Sequence, residues 1–140
     1  MKFTNSLIKG KLLKRYKRFF ADIKVNNKII TAHCPNTGSM QGLLHQGNEV
    51  LVTEHNDPKR KLKFTLEIIK ANKRYVGVNT HRANKIVNHG LENKLISEFK
   101  TIKNIKPEFK FSDDTRFDFL CDNYLIAVSY THLTLPTTRL

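Results

Sequence analysis

Long apolar runs are missing from this sequence. A membrane-spanning helix needs about 18 consecutive, mostly apolar residues, and the 140 residues contain no such stretch. The first residues include Lys2 and Lys9 but no apolar segment followed by a small-residue cleavage site, so we expect no secretory signal. The sequence therefore predicts a protein that neither crosses a membrane nor is exported.

Cysteine is also scarce. Cys34 and Cys121 are the only two, too few for a disulfide framework, and a reducing cytoplasm is the expected location. His33, His45 and His55 do not combine with Cys34 in the spacing of any zinc site. We therefore predict packing and loop roles for these residues rather than metal binding.

Acidic residues are few relative to basic ones. The chain has 12 Asp+Glu against 25 Lys+Arg, a formal net charge of +13 and a pI of about 9.9. Such an excess favours a polyanionic partner, either DNA, RNA or an anionic membrane, and the membrane is the weakest of the three. Hydrophobic residues make up 39% of the chain, enough for a globular core.

The positive charge is concentrated in two clusters. Residues 9–18, KGKLLKRYKR, carry six cations and no acid, and residues 59–63 carry four cations after the turn signal at residues 56–58. Cations that crowd together without acids repel each other unless a partner compensates them, and phosphates are such a partner. The predicted phosphate-binding side chains are Lys14, Arg15, Lys17, Arg18, Lys59, Arg60 and Lys61.

Three aromatic residues accompany the first cluster. Tyr16, Phe19 and Phe20 have ring faces on which exposed bases could stack. Because phenylalanine is so often buried, Phe19 and Phe20 are expected in the core, and Tyr16 is retained as a binding candidate.

The spacing of apolar residues predicts a small β-barrel in the first 80 residues. Residues 12–23 fit either a helix or a long strand: the periodicity slightly favours the helix, whereas the hairpin signal at residues 26–27 favours the strand. Further strands are predicted at residues 28–34, 48–53, 63–69 and 75–78. Five short strands within about 80 residues suggest an OB-fold.

The pattern changes near Asn79. Asn79 or Thr80 can cap a helix that stops at Gly90, and a second helix is predicted at residues 91–99. Strands are then predicted at residues 109–111, 116–120 and 124–126. Helices followed by a meander predict the beginning of a second, α/β domain.

Four patches together resemble the sugar fermentation stimulation protein A family. They are RYKRFFADI at residues 15–23, HCPNTGSM at 33–40, VNTHRAN at 78–84 and RFDF at 116–119. The resemblance implies a mainly β, OB-like N-terminal barrel, here residues 1–78, followed by the beginning of an α/β PD-(D/E)xK nuclease-like domain, here residues 79–126. It also implies DNA binding and regulation of sugar-utilisation genes, and it favours the strand for the first element.

The HCPNTGSM patch is a candidate phosphate-binding loop. Asn36, Thr37 and Ser39 offer backbone N–H groups and polar side chains that suit phosphate contacts. A tight turn without any ligand explains the same residues equally well, and both interpretations stay open.

Asp118 is the candidate catalytic and metal-binding residue. In the nucleases that the resemblance implies, such an Asp holds a divalent ion together with the acid of a following Glu-x-Lys strand. Here the corresponding residues are Ala127 and Ser129, which supply neither the carboxylate nor the ammonium. Glu98 or Glu108 could contribute an upstream acid, and a structural carboxylate paired with Arg116 is an equal alternative. We therefore treat Asp118 as vestigial and expect no cofactor for this chain, with Mg²⁺ or Mn²⁺ reserved for a full-length parent.

Residues 127–140, AVSYTHLTLPTTRL, depart from the family pattern. We expect them to be a non-native or disordered tail.

The sequence predicts three functions, in order of preference: a DNA-binding protein, a metal-dependent nuclease in a full-length parent, and an RNA-binding OB protein. The sequence does not separate DNA from RNA, and it does not indicate base specificity or oligomeric state.

Overall fold

The computed structural model describes residues 1–128 and divides them into two units, residues 2–81 and the residues from Arg82 onward. In the first unit six strands are present: β1 Leu7–Tyr16, β2 Phe20–Val25, β3 Lys28–His33, β4 Glu49–Glu54, β5 Phe64–Ala71 and β6 Arg74–Gly77. They pair in the order β3-β2-β1-β4-β5-β6, and a parallel pairing between β3 and β5 closes the sheet. The resulting circuit β1-β2-β3-β5-β4 is a five-stranded OB-like barrel, which confirms the predicted fold class.

Alternating apolar residues fill the barrel. Inward-facing side chains from every barrel strand are fully buried, and they are Leu12, Ala21, Ile23, Ala32, Val50, Val52, Leu66 and Ile69. The backbones of β1 and β2 also approach closely at Gly10, where an added Cβ would lie 2.5 Å from Cγ2 of Ile23. Strand alternation with one face turned inward is the pattern expected of a small closed barrel.

The first predicted element is neither a helix nor one long strand. Strands β1 and β2 are separated by a turn at residues 17–19, in which Lys17 and Arg18 have positive φ angles of 49° and 62°. The pairing register also shifts between Leu12 and Lys14, so that Leu13 is an extra residue that disrupts the period of two. This bulge explains why the apolar spacing resembled that of a helix. The predicted turn at Asn26 is confirmed, with a φ of 52°.

The second unit is an α/β region. Helix α1 His81–Glu92 begins at the unit boundary, a short 3₁₀ helix covers Ser97–Phe99, and an antiparallel sheet follows with strands β7 Ile105–Lys110, β8 Arg116–Cys121 and β9 Tyr124–Ile126. Its core contains Leu91, Ile102, Phe119 and Cys121. The predicted stop at Gly90 is wrong, because α1 continues to Glu92, and residues 91–99 do not form a helix of their own.

Of the expected tail, residues 127–140, the structure describes Ala127 and Val128. Val128 packs against the core of the second unit, and its N–H donates a hydrogen bond to Asp118. Residues 129–140 lie outside the described residues. Within residues 1–128, no helix is long and apolar enough to span a membrane.

Candidate nucleic-acid interface

Both predicted basic clusters reach loops of the barrel. We call the β1–β2 loop, residues 17–19, loop L12, and the β4–β5 loop, residues 55–63, loop L45. L12 contains Lys17 and Arg18, and L45 contains Lys59, Arg60 and Lys61. In OB-folds these two loops and the face of strands β2 and β3 are the usual contacts for oligonucleotides.

Pairing across four strands brings the two loops to the same end of the barrel. Tyr16 pairs with Phe20, Phe20 with His33, and His33 with Thr65. We call these four residues the outer row. Nη2 of Arg60 donates a hydrogen bond of 2.9 Å to Oγ1 of Thr65, and L12 joins Tyr16 to Phe20. Each end of the row therefore adjoins a basic loop.

The aromatic residues of this region lie on the outside of the barrel. The rings of Tyr16 and Phe20 are stacked, with centroids 5.4 Å apart and planes at 26°, and Nζ of Lys14 lies 5.2 Å from the Tyr16 centroid. Phe19 is 49% exposed at the tip of L12, and Phe20 is only half-buried. The expectation that Phe19 and Phe20 belong to the core is wrong, because the turn at L12 places Phe19 in the loop and turns Phe20 outward.

Hydroxyl groups hold the position of Tyr16. Its OH donates to Oδ1 of Asp22 at 3.2 Å, and Oγ1 of Thr31 donates to the same oxygen at 2.9 Å. Asp22 is also the register partner of Lys14 across β1 and β2. Tyr16 therefore contacts both members of an oppositely charged cross-strand pair. These hydrogen bonds hold the Tyr16 hydroxyl beside Asp22.

Arg15, which is half-buried, connects two loops by hydrogen bonds. Its Nη2 donates to the carbonyl oxygens of Asn36 and Arg18 at 2.8 and 3.1 Å, so that it fixes both L12 and the HCPNTGSM loop. Oδ1 of Asn36 accepts a hydrogen bond of 2.9 Å from the N–H of Gly38. In the HCPNTGSM loop, Thr37 and Ser39 are the exposed candidates for phosphate contacts. The hydrogen bonds of Arg15 and Asn36 fix the position of this loop.

The VNTHRAN patch supports the same loop from the other side. Oγ1 of Thr80 donates to the carbonyl oxygen of Pro35 at 2.9 Å. Oδ1 of Asn79 accepts from the N–H of His81 at 3.1 Å, which confirms the predicted helix cap, and its Nδ2 donates to buried Glu67 at 3.0 Å. The first three patches of the resemblance are thus joined by hydrogen bonds around one loop.

His33, in the outer row, has a lowered pKa. Its pKa is held below the ordinary value of 6.5, mainly because burial disfavours the charged imidazolium, and further because Arg60 and His81 repel it. The basic side chains of Arg60 and His81 therefore lie near His33.

The second unit contains Asp118 at the wall of a cavity of about 280 Å³. Its two carboxylate oxygens accept hydrogen bonds of 2.7 Å from Nδ2 of Asn84 and from the N–H of Val128. The hydrogen-bond partners found for Asp118 are thus Asn84 and Val128, whereas the structural alternative considered from the sequence was a pairing with Arg116. Glu92 and Glu108 line the same cavity, whereas the exposed Glu98 accepts a hydrogen bond from Ser97.

The acids around Asp118 do not form a metal site. In the part of the chain that the structure describes, no group of three or more His, Cys, Asp and Glu side chains is placed to hold a metal ion. His33, Cys34, His45 and His55 are among the residues to which this statement applies. The thiol-bearing Cys34 is fully buried. The described geometry therefore favours the barrel as the candidate site.

Comparison with known proteins gives consistent matches over nearly the whole chain. The family described as "SfsA N-terminal OB domain" matches residues 13–78, and that described as "Sugar fermentation stimulation protein RE domain" matches residues 81–129. A sugar fermentation stimulation protein homolog of Pelagibacter ubique is 63% identical over 122 residues, which are 87% of this chain and 53% of that protein. The homolog of Alteromonas mediterranea is 48% identical over 122 residues, which are 85% of this chain and 51% of that protein.

A solved structure shares the fold. The structure of Pyrococcus furiosus SfsA in complex with Ca²⁺ superimposes with a TM-score of 0.73 at 21% sequence identity, and the match covers 86% of this chain and 51% of that one. The chain thus spans about half the length of the relatives that it matches.

Proposed function

The chain belongs to the sugar fermentation stimulation protein family, and from this membership and the geometry of the barrel we propose that it binds DNA through the outer row and loops L12 and L45. One observation carries the proposal: two cationic loops, distant in sequence, adjoin the two ends of a single cross-strand row, which contains stacked aromatic rings at one end and the buried Thr65 at the other. Regulation of sugar-utilisation genes would be a consequence of this binding.

The chemistry of the surface suits an opened or single strand. Lys and Arg side chains of both loops neutralise phosphates and release counterions, and the exposed ring of Phe19 and the Tyr16–Phe20 stack offer faces for bases. Hydroxyls of Thr37 and Ser39 can donate to phosphate oxygens. All of these contacts tolerate any base sequence, so we propose binding with little sequence preference.

A nuclease is the second candidate, for a full-length parent only. The observation in its favour is the cavity that Glu92, Glu108 and Asp118 share, and the Pyrococcus furiosus relative was solved with Ca²⁺. In this chain the residues do not fit a divalent ion, because both oxygens of Asp118 are engaged by N–H donors and Ala127 supplies no carboxylate. We therefore assign no catalytic step to the chain.

Anisotropy titration of a labelled single-stranded oligonucleotide tests the proposal. We expect the double variants Lys17→Ala/Arg18→Ala and Lys59→Ala/Lys61→Ala each to bind more weakly, and the slope of log K against log[salt] to flatten by about 1.4, since each lost phosphate contributes about 0.7 for a single strand. The matched control is Lys94→Ala/Lys100→Ala, which removes the same charge from exposed positions of the second unit.

Two results would contradict the assignment. An equal loss in the control would show that net charge, rather than the barrel surface, determines binding. Unchanged binding in both loop variants, with circular dichroism spectra like that of the wild type, would place the interface elsewhere. Unlabelled DNA and RNA of the same sequence, added as competitors at fixed salt, distinguish the DNA-binding proposal from an RNA-binding one.

A further inference from the structure

A second group of cations lies on the outside of β1 and β2, away from the outer row. Lys11 is the direct register partner of Lys24, and Lys9 lies two residues earlier on β1. All three side chains are exposed. They line a cavity of about 330 Å³ together with Gly10, Asn26 and Glu49. We call Lys9, Lys11 and Lys24 the lysine patch.

The charge of the lysine patch is only partly neutralised. Like charges directly opposite each other on neighbouring strands destabilise a sheet, and Lys11 and Lys24 form such a pair. The carboxylate at the site, Glu49, lies 3.5 Å from Nζ of Lys9 and accepts a hydrogen bond of 3.0 Å from the OH of Tyr75. One carboxylate against three ammonium groups leaves a surplus of positive charge. A fold that holds like charges together in this way is suited to an anionic partner.

The bulge in β1 connects the lysine patch to the outer row. Without it, residues 11 and 14 would point to opposite faces, because strand side chains alternate. The register shift between Leu12 and Lys14 returns Lys14 to the outside, where it contacts the ring of Tyr16. On β2 the two ends of the surface, Phe20 and Lys24, are four residues apart, or about 13 Å.

We propose that the lysine patch binds the phosphodiester backbone of the same nucleic-acid strand that crosses the outer row. The nucleic-acid strand would then run along the length of β1 and β2 and pass Lys14. A phosphodiester chain fits better than a single small anion, because the cations continue along β1 beyond the cavity, from Lys9 and Lys11 to Lys14. The inference rests on the proposed function and adds to it the path of the ligand and the length of the site.

The dependence of binding on oligonucleotide length tests this path. OB-folds bind about 4 to about 16 nucleotides. We expect the Lys11→Ala/Lys24→Ala variant to bind an oligothymidylate of about 4 nucleotides like the wild type, since the outer row alone holds it. With about 16 nucleotides, the salt slope of the variant should be less steep by about 1.4, the loss of two phosphate contacts.

Two further variants make the result specific. Lys11→Arg/Lys24→Arg keeps the charges and should retain the slope of the wild type, whereas Lys94→Ala/Lys100→Ala should not change the dependence on length. Thermal unfolding should show that Lys11→Ala/Lys24→Ala stays close to the wild type in stability, because the variant removes the repulsion between Lys11 and Lys24 and also the cross-strand pairing of Lys11 with Glu49.

Equal losses with short and long oligonucleotides would overturn the inference, as would no loss with either. In both cases the proposed function stands if the L12 and L45 variants still weaken binding. If those loop variants also bind like the wild type, the proposed function itself has failed.

Discussion

Phe19 is the residue that most directly tests stacking, since 49% of it is exposed at the tip of L12. Phe19→Ala should weaken binding by about 1–3 kcal/mol, the usual contribution of one base–aromatic stack. The salt slope should not change, because no phosphate contact is lost. Anisotropy titrations at several salt concentrations measure both quantities. Phe111→Ala, which removes a 63% exposed ring from the second unit, is the control, and an equal effect there would argue against stacking at L12.

His33 predicts a pH dependence of stability. Its pKa in the folded chain lies below 6.5, chiefly because of burial and then because of Arg60 and His81, so that the unfolded chain takes up the proton more readily. The stability associated with neutral His33 is therefore fully present above pH 6.5 and is lost as the pH falls below it. Between about pH 7.5 and about pH 5.5, the melting temperature of the wild type should fall further than that of His33→Asn. Equal decreases would show that His33 does not contribute.

At the residue level, the sequence predicts chemistry better than orientation. It identified the cations of L12 and L45 and the Asn79 cap, because charge clusters and capping residues are local signals. It missed the exposed position of Phe19 and the hydrogen bonds of Arg15 to two loops, because both depend on where β1 ends. The residue type alone does not distinguish the exposed Phe19 from a core phenylalanine, or the hydrogen-bonded Arg15 from a surface arginine.

At the level of elements, hairpins were predictable where Asn supplied the turn. Asn26, in the hairpin turn predicted at residues 26–27, has a positive φ angle of 52°, a conformation that asparagine tolerates. L12 gives no such signal, because Lys17 and Arg18 are unusual at positive φ and are held there by the pairing of Tyr16 with Phe20. The end of α1 was misplaced because Gly90 does not end the helix. A Cβ added at Gly90 would lie 3.3 Å from Cδ1 of Ile96, so the glycine allows close packing against Ile96.

The contact between β1 and β2 at Gly10 gives a stability prediction. Gly10→Ala should lower the free energy of unfolding by about 1–3 kcal/mol, as overpacking in a core usually does, because the new methyl group would lie 2.5 Å from Cγ2 of Ile23. Urea denaturation measures the change. Gly77→Ala on β6 is the matched control, since nothing lies within 4 Å of its added Cβ, and its effect should stay within about 0.5 kcal/mol. Equal effects would mean that β1 and β2 adjust to the methyl group.

At the level of the whole molecule, the order of secondary structure and the family were within reach of the sequence. The barrel followed from alternation and turns, and the four patches indicated the family that the comparisons show. The closure of the barrel was not predictable in the same way, because the parallel β3–β5 pairing joins residues more than thirty positions apart and leaves no local signal.

The surroundings of Asp118 in the second unit give a prediction about DNA cleavage. We expect no Mg²⁺- or Mn²⁺-dependent cleavage of DNA by this chain, because Asp118 is engaged by Asn84 and Val128, and a hard cation prefers several free oxygens. Gel analysis of plasmid and single-stranded DNA, incubated with either metal, measures cleavage. Metal-dependent cutting by a pure preparation, abolished in Asp118→Ala, would show the opposite.

The salt dependence of DNA affinity tests the central claim most directly. If the barrel surface neutralises about four to six phosphates, log K should fall against log[salt] with a slope of about −3 to −5. The variant for comparison is Lys17→Ala/Arg18→Ala/Lys59→Ala/Lys61→Ala, which leaves Arg15 in place because Arg15 holds the loops. The account predicts a much flatter slope in this variant while the barrel stays folded. An equally steep slope in the folded variant, or a slope near zero in the wild type, would contradict it.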